Sequence, residues 1–287
     1  MALTGRGTWG EPADPAGART LLRRAAELGV QLFDTADSYG PETAERLVRE
    51  ALHPYDGLLV ATKGGFRRDG PHEWAADCRP ETLRAACEGS LRRLGLDRID
   101  LYQLHVVDAQ VPIEESVGAL AELQAEGKIR HVGVCNVDAR QLARAQSAAP
   151  VVSVQNRFSL AERGSEAVLA RCEEAGIAFV AWAPLAKGFL AQAAGAVGEV
   201  AHARGAAPAQ VGLAWLLHRS PRIAVIPGTA SPAHLEENVA AAGLELSPDE
   251  VARLDRKRLW GYRARRTARH ARSTAGRARR ALAGRRP

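Results

Sequence analysis

The chain alternates short apolar runs with longer stretches whose apolar residues recur at helical spacing. Runs rich in branched and aromatic residues predict strands at Val30–Asp34, Leu58–Thr62, Ile99–Leu104, Ile129–Val134, Val151–Val154, Ile177–Trp182 and Ile223–Ile226. Between them, Ala18–Leu28, Thr43–Leu52, Glu81–Leu94, Ile113–Glu126, Arg140–Gln146, Glu166–Ala175 and Pro208–His218 place apolar residues at i, i+3 and i+4, which predicts helices. Gly29, Gly95, Gly127 and Gly176 stand where a glycine ends a helix before the next strand. Asp138 and Ser231 read as N-caps, and Pro80 suits a first helical position.

Repeated strand–helix units predict an α/β fold with a parallel sheet covered by helices. Two architectures compete, a doubly wound open sheet and a closed (β/α)8 TIM barrel. In a barrel the chemistry collects at the C-terminal ends of successive strands. Polar residues recur at those ends here: Asp34 with Asp37, Lys63, His105, Asn136, and Gln155 with Asn156. That pattern favours the barrel. Its first strand is poor, because only 33 residues precede Asp34 and Met1–Thr4 is too short to cross a barrel. The expectation is a truncated or degenerate first strand, with the chain beginning inside or just after it, and two exposed edges.

Composition narrows the class. A chain of 287 residues with 46% hydrophobic and 25% charged residues can bury a sizeable core. No apolar run is long enough for a membrane span, and the N-terminus does not read as a secretory signal. Cys78, Cys87, Cys135 and Cys172 form no C-x-x-C pair and no cluster with zinc spacing. Scattered cysteines suggest reduced thiols and a cytoplasmic protein, and no metal site is expected.

The net charge of +6 is unevenly distributed. Residues 256–287 hold twelve Arg and one Lys with no acid, leaving 26 basic against 33 acidic residues in 1–255. The reading is a mildly acidic barrel domain over 1–255 and an Arg-rich C-terminal tail over 256–287, expected to be disordered. Polyanion or nucleic-acid binding through that tail is the sharper, minority reading.

One motif misleads. Gly5, Gly7 and Gly10 spell G-x-G-x-x-G, the dinucleotide fingerprint of a strand–turn–helix unit. No strand precedes it and Glu11-Pro12-Ala13-Asp14-Pro15 follows, so a glycine-rich turn is the better reading.

Asp34 and Tyr39 follow the Val30–Asp34 strand, Lys63 ends the next strand, and His105 ends the one after that. Neighbouring parallel strands would bring the four to one pocket. Tyrosine, with a reference pKa of about 10, is a poor acid at neutral pH. A nearby Lys cation favours the phenolate, and a carboxylate keeps that Lys charged and placed. A histidine can hydrogen-bond a substrate oxygen. The set could protonate a carbonyl oxygen while hydride reaches the carbon.

These residues belong to segments FDTADSYG, ATKGG, IDLYQLH, GKIRHVGVCN, VVSVQN, AWAPLAKGFL and IPGTASPAHLEEN, in that order from about residue 20 to residue 250. Together they resemble the aldo-keto reductases. The resemblance implies Tyr39 as general acid, Lys63 lowering its pKa, Asp34 pairing with Lys63, and His105 orienting the carbonyl. It implies NADPH bound without a Rossmann fold. Asn136 and Gln155 would hold the nicotinamide carboxamide, and Trp182 would stack on the ring. Leu185, Lys187, Gly188 and Leu190 would lie over the pyrophosphate, with Gly228, Thr229, His234, Glu237 and Asn238 at the adenosine end. Trp9 and Trp74 are candidate substrate contacts in loops, and the partner is a small-molecule carbonyl compound with no membrane involved.

The match has departures. Cys135 stands where the family commonly has Ser. The stretch Gly228–Glu236 has no Lys or Arg to hold a 2′-phosphate, so NADP follows family habit while NAD stays open. The Arg-rich end stands in place of the usual C-terminal loop. The leading expectation is an NAD(P)H-dependent carbonyl reductase; a nicotinamide-binding sensor with little turnover and tail-mediated polyanion binding are the alternatives.

Overall fold

The computed structural model describes residues 3–192 and 194–256. The expected basic tail lies outside the described residues from position 257 onward. In chain order the strands are β1 (Leu32–Asp34), β2 (Leu59–Gly64), β3 (Phe66–Gly70), β4 (Glu73–Ala76), β5 (Ile99–Leu104), β6 (Ile129–Cys135), β7 (Val151–Arg157), β8 (Ala178–Trp182) and β9 (Ile223–Val225). The helices are α1 (Pro15–Glu27), α2 (Thr43–Leu52), α3 (Pro80–Leu94), α4 (Ile113–Ala125), α5 (Ala139–Ala148), α6 (Glu166–Ala175), α7 (Ala196–Arg204), α8 (Pro208–Arg219), α9 (Pro232–Ala240) and α10 (Pro248–Arg256). Every strand and helix expected from the apolar pattern is present. The β3–β4 hairpin, α7 and α10 were not foreseen.

Seven strands form one parallel sheet in the order β1-β2-β5-β6-β7-β8-β9, with helices following the strands. This is the curled sheet of a TIM barrel, and no strand pairs β1 with β9 among the described residues. The helical layer bridges that seam. Helix α9 returns against α1, Arg24 of α1 pairs with Glu236 of α9 at 2.9 Å, and Leu235 packs on the apolar cluster of α1 and α2.

Local chemistry explains the boundaries. Asp14 caps α1 through Gly17 N at 2.8 Å, with Pro15 at the first position. Asp138 and Gln141 form a reciprocal capping box on α5, both bonds at 2.8 Å. Helices α3 and α6 end at Gly95 and Gly176, both at positive φ.

The register of the inner strands positions the site. Lys63 lies beside Gln103, Gln103 beside Gly133, and Gly133 beside Ser153. A Cβ at 133 would stand 2.3 Å from Ser153 Oγ and 2.9 Å from Gln103 Cγ, so glycine there leaves room for Gln103 to reach across the barrel.

Candidate active site

Asp34 and Lys63 end neighbouring strands and meet inside the barrel mouth. Lys63 Nζ donates to Asp34 Oδ1 at 2.5 Å and to the Thr35 carbonyl at 2.8 Å. The other carboxylate oxygen, Oδ2, accepts from Gln155 at 2.9 Å and Gln103 at 3.2 Å. Lys63 is fully buried and the Asp34 side chain is 8% exposed. Burial pulls the Lys63 pKa down, but the adjacent Asp34 carboxylate leads the effects that outweigh it and the net direction is up, so Lys63 is an ammonium.

The chain leaving β1 runs along the end of β2, with Thr35 N donating to the Ala61 carbonyl and Asp37 N to the Lys63 carbonyl. This delivers Tyr39 over the ion pair, with Lys63 Nζ 5.2 Å from its ring centre. The phenol oxygen is 3.5 Å from His105 Nε2, and Ser38 Oγ is 3.4 Å from His105 Nδ1. Both Tyr39 and His105 are buried. Burial, then Lys63, pushes the His105 pKa well below the usual imidazole range, so the ring is neutral.

At Tyr39 a second effect joins the expected one. Lys63 does pull its pKa down, but burial is the larger effect and the net direction is up. In this water-excluded setting the cation does not overcome the cost of a buried phenolate, and Tyr39 holds its proton.

The other expected residues divide. Asn136, in the left-handed region at φ 58°, donates to the His105 carbonyl at 3.0 Å and accepts from Trp182 Nε1 at 2.9 Å. The Arg157 guanidinium covers the Trp182 ring at 5.3 Å. Gln155 points its amide nitrogen at Asp34, a contact the sequence reading did not foresee. Leu190 is fully buried in the main core, with Leu185 packed against that core, so these two shape the loop from beneath. Lys187 and Gly188 are exposed at positive φ. Gly228 and His234 are exposed, Thr229 accepts from Ser231 N at 3.0 Å, and Glu237 and Asn238 are half-buried on α9. Trp74 stands 6.4 Å from both Tyr39 and His105, whereas Trp9 bridges to Gly40 and lies under Arg68, one step back from the site.

Sequence reading missed Ser38, Gln103, Phe66 and Arg68. Gln103 carried a signal, being a polar residue on the apolar strand β5 two positions before His105. Phe66, 4.8 Å from His105 and 5.1 Å from Trp74, arrives on the β3–β4 hairpin, which turns at Pro71-His72 with His72 at positive φ.

A site of this geometry, at the C-terminal strand ends of a TIM barrel, agrees with the comparisons. The chain belongs to the Aldo/keto reductase family, which it matches over residues 1–258. An uncharacterized oxidoreductase of Schizosaccharomyces pombe is 47% identical over 255 residues, covering 89% of this chain and 83% of that one. The pyridoxine 4-dehydrogenase of Escherichia coli K12 is 43% identical over 262 residues, covering 89% and 91%. Among solved structures, an aldo/keto reductase from Klebsiella pneumoniae in complex with NADP and acetate has TM-score 0.75 at 33% identity, covering 88% and 90%. The glycerol dehydrogenase of Gluconobacter oxydans has TM-score 0.80 at 28% identity, covering 88% of each chain.

Two outcomes follow. In an ultraviolet titration of the free protein, the absorbance step lost in Tyr39→Phe is expected above pH 10, since burial lifts the Tyr39 pKa above the usual phenol value of about 10; a step below 10 contradicts the burial argument. The second concerns Asp37, whose Oδ1 is buried without a partner. Burial, then the nearby Glu45 carboxylate, raises its pKa to about 7. A carboxyl raised on folding gives stability that is intact below its unfolded pKa and lost as pH rises through the folded one. Asp37→Asn is therefore expected to gain thermal stability over wild type as pH rises from about 4 to about 8; a gap that shrinks over that range rules it out.

Proposed function

We propose that the protein transfers hydride from NADPH to the carbonyl carbon of an aldehyde or ketone while Tyr39 protonates the carbonyl oxygen. The observation carrying this reading is a buried phenol within 3.5 Å of a neutral imidazole and over a buried ammonium–carboxylate pair. Bound NADPH supplies the hydride. Tyr39, kept protonated by burial, is poised as the acid. As its proton leaves, the Lys63 ammonium offsets the negative charge on the phenolate, and Lys63 keeps its own proton because Asp34 holds its pKa up. In this reading the neutral His105 ring carries its proton on Nε2, with Ser38 Oγ as donor to Nδ1, so that Nε2 faces the phenol oxygen and orients the carbonyl.

The residues present fit a phosphorylated dinucleotide. Trp182, fixed by Asn136, offers an indole at the end of β8, and Gln155 lies on neighbouring β7 two residues before Arg157, the residue in register with Trp182. Helix α9 begins with an exposed first turn in which Ser231 caps His234 N, leaving an N-terminus suited to phosphate. Exposed Lys187 and His234 are the side chains proposed to favour NADP, with Gly188, Gly228, Thr229, Glu237 and Asn238 completing the cradle and Leu185 and Leu190 supporting it from below. The Klebsiella complex supports NADP over NAD.

The aromatic wall of Phe66 and Trp74 beside His105, with Trp9 behind it, supports a ring-bearing aldehyde as substrate, in keeping with the E. coli relative's name. No helix among the described residues is long and apolar enough to cross a membrane. The four free, buried cysteines support a reducing compartment, the cytoplasm. Residues 1–255 are proposed as the barrel domain and 256–287 as a separate basic tail.

Tyr39→Phe is expected to lower NADPH oxidation with aromatic aldehydes, pyridoxal included, by about 10²–10⁴-fold while NADPH affinity holds. Equal turnover by the variant and wild type would remove Tyr39 from the reaction.

A further inference from the structure

Arg68 sits on β3, one residue away from the exposed Arg67–Asp69 ion pair, and behaves differently. Its Nε donates to the Glu73 carbonyl at 2.8 Å. Nη1 donates to the carbonyls of Thr8 at 3.0 Å and Ser38 at 2.8 Å, and Nη2 to those of Gly7 at 3.1 Å and Gly70 at 3.4 Å. A guanidinium has five N–H donors. All five are used, and every acceptor is a backbone carbonyl.

Three segments remote in sequence converge on this one side chain: the N-terminal turn, the loop that carries Tyr39, and the β3–β4 hairpin. The turn and the loop also pair directly, with Gly10 N donating to the Gly40 carbonyl and Gly40 N to the Thr8 carbonyl. The guanidinium carbon lies 3.8 Å from the centre of the Trp74 ring and 5.5 Å from that of Trp9. Trp74 in turn presents its edge to Tyr39 and His105. Ser38, whose carbonyl Arg68 holds, precedes Tyr39 and places its hydroxyl on His105.

We propose that Arg68 is the positioning residue of the substrate side of the site, fastening Trp74 and the Ser38–Tyr39 segment in place so that ring-bearing carbonyl compounds are held against the phenol. It has no donor left for substrate, so it acts through what it holds. Lysine cannot replace it, because a point charge with three donors neither reaches all five carbonyls nor stacks flat on an indole. The kinetic part of this inference rests on the carbonyl-reductase reading; the structural part does not.

The test compares wild type, Arg68→Lys and Arg68→Ala, full-length. Acrylamide quenching of tryptophan fluorescence, with Trp74→Phe as reference to isolate Trp74, needs neither cofactor nor substrate. Both Arg68 variants are expected to raise quenching of Trp74 by about twofold or more, because the cationic cover on its ring is lost. In steady-state kinetics, KM for benzaldehyde is expected to rise about tenfold and kcat to fall, while kcat/KM for propanal changes by less than about threefold and the NADPH Kd holds. The proposal is overturned if Trp74 quenching is unchanged, or if the benzaldehyde-to-propanal ratio of kcat/KM stays within about twofold of wild type. It is equally overturned if both aldehydes and NADPH binding decline together, since that marks general damage. A wild-type protein that reduces neither aldehyde overturns the carbonyl-reductase reading instead, and the quenching result then decides whether Arg68 fastens the wall.

Discussion

The site depends on a full charge pair held out of water, Lys63 against Asp34. Removing water from either ion costs several kcal/mol, and mutual attraction repays this only when the remaining hydrogen-bonding positions are filled. Here they are filled from four strands: Asp34 from β1, Lys63 from β2, Gln103 from β5 and Gln155 from β7. A slip of one residue in any of these strands would turn its side chain to the other face and leave a buried charge short of a partner. Correct folding of the sheet and correct assembly of the site are therefore one condition.

The same pair sets the electrostatics around it. The ammonium helps to keep His105 neutral, and burial, acting more strongly still, raises the Tyr39 pKa against the pull of Lys63. A neutral imidazole and a protonated phenol are the donors a carbonyl oxygen needs. The substrate side is built by other means, from a hairpin whose aromatic rings pack edge-on against His105 and are tied down through backbone carbonyls.

Much of this is visible in the sequence because β1, β2, β5, β6 and β7 each carry a polar residue at the end of an apolar run. Asp34, Lys63 and His105 announce themselves by their place in that pattern. Tyr39 is less direct: its position depends on how the loop after β1 hugs β2, a backbone path that no periodicity encodes. The net direction of its pKa is not readable in sequence, because a neighbouring cation can be named from the chain, whereas depth of burial cannot. Gln155, a proposed cofactor contact, also places its amide nitrogen on Asp34, a cross-barrel pairing between residues 121 positions apart that no local pattern encodes. Arg68 lies in Phe66-Arg67-Arg68-Asp69-Gly70, where nothing distinguishes it from its exposed neighbour. Helix α7 is small-residue rich and weakly patterned; α10 begins with Ser247-Pro248-Asp249-Glu250, a readable capping box that was overlooked beside the basic tail.

The most direct test of the central claim is a double-mutant cycle on Asp34→Asn and Lys63→Met, read by urea unfolding at neutral pH. Each single variant strands one buried polar partner and is expected to lose about 3–5 kcal/mol, while the double variant loses clearly less than the sum, with a coupling of at least about 2 kcal/mol. Two losses that simply add, within about 0.5 kcal/mol, would mean the ions do not depend on one another, and the account built on them would fail.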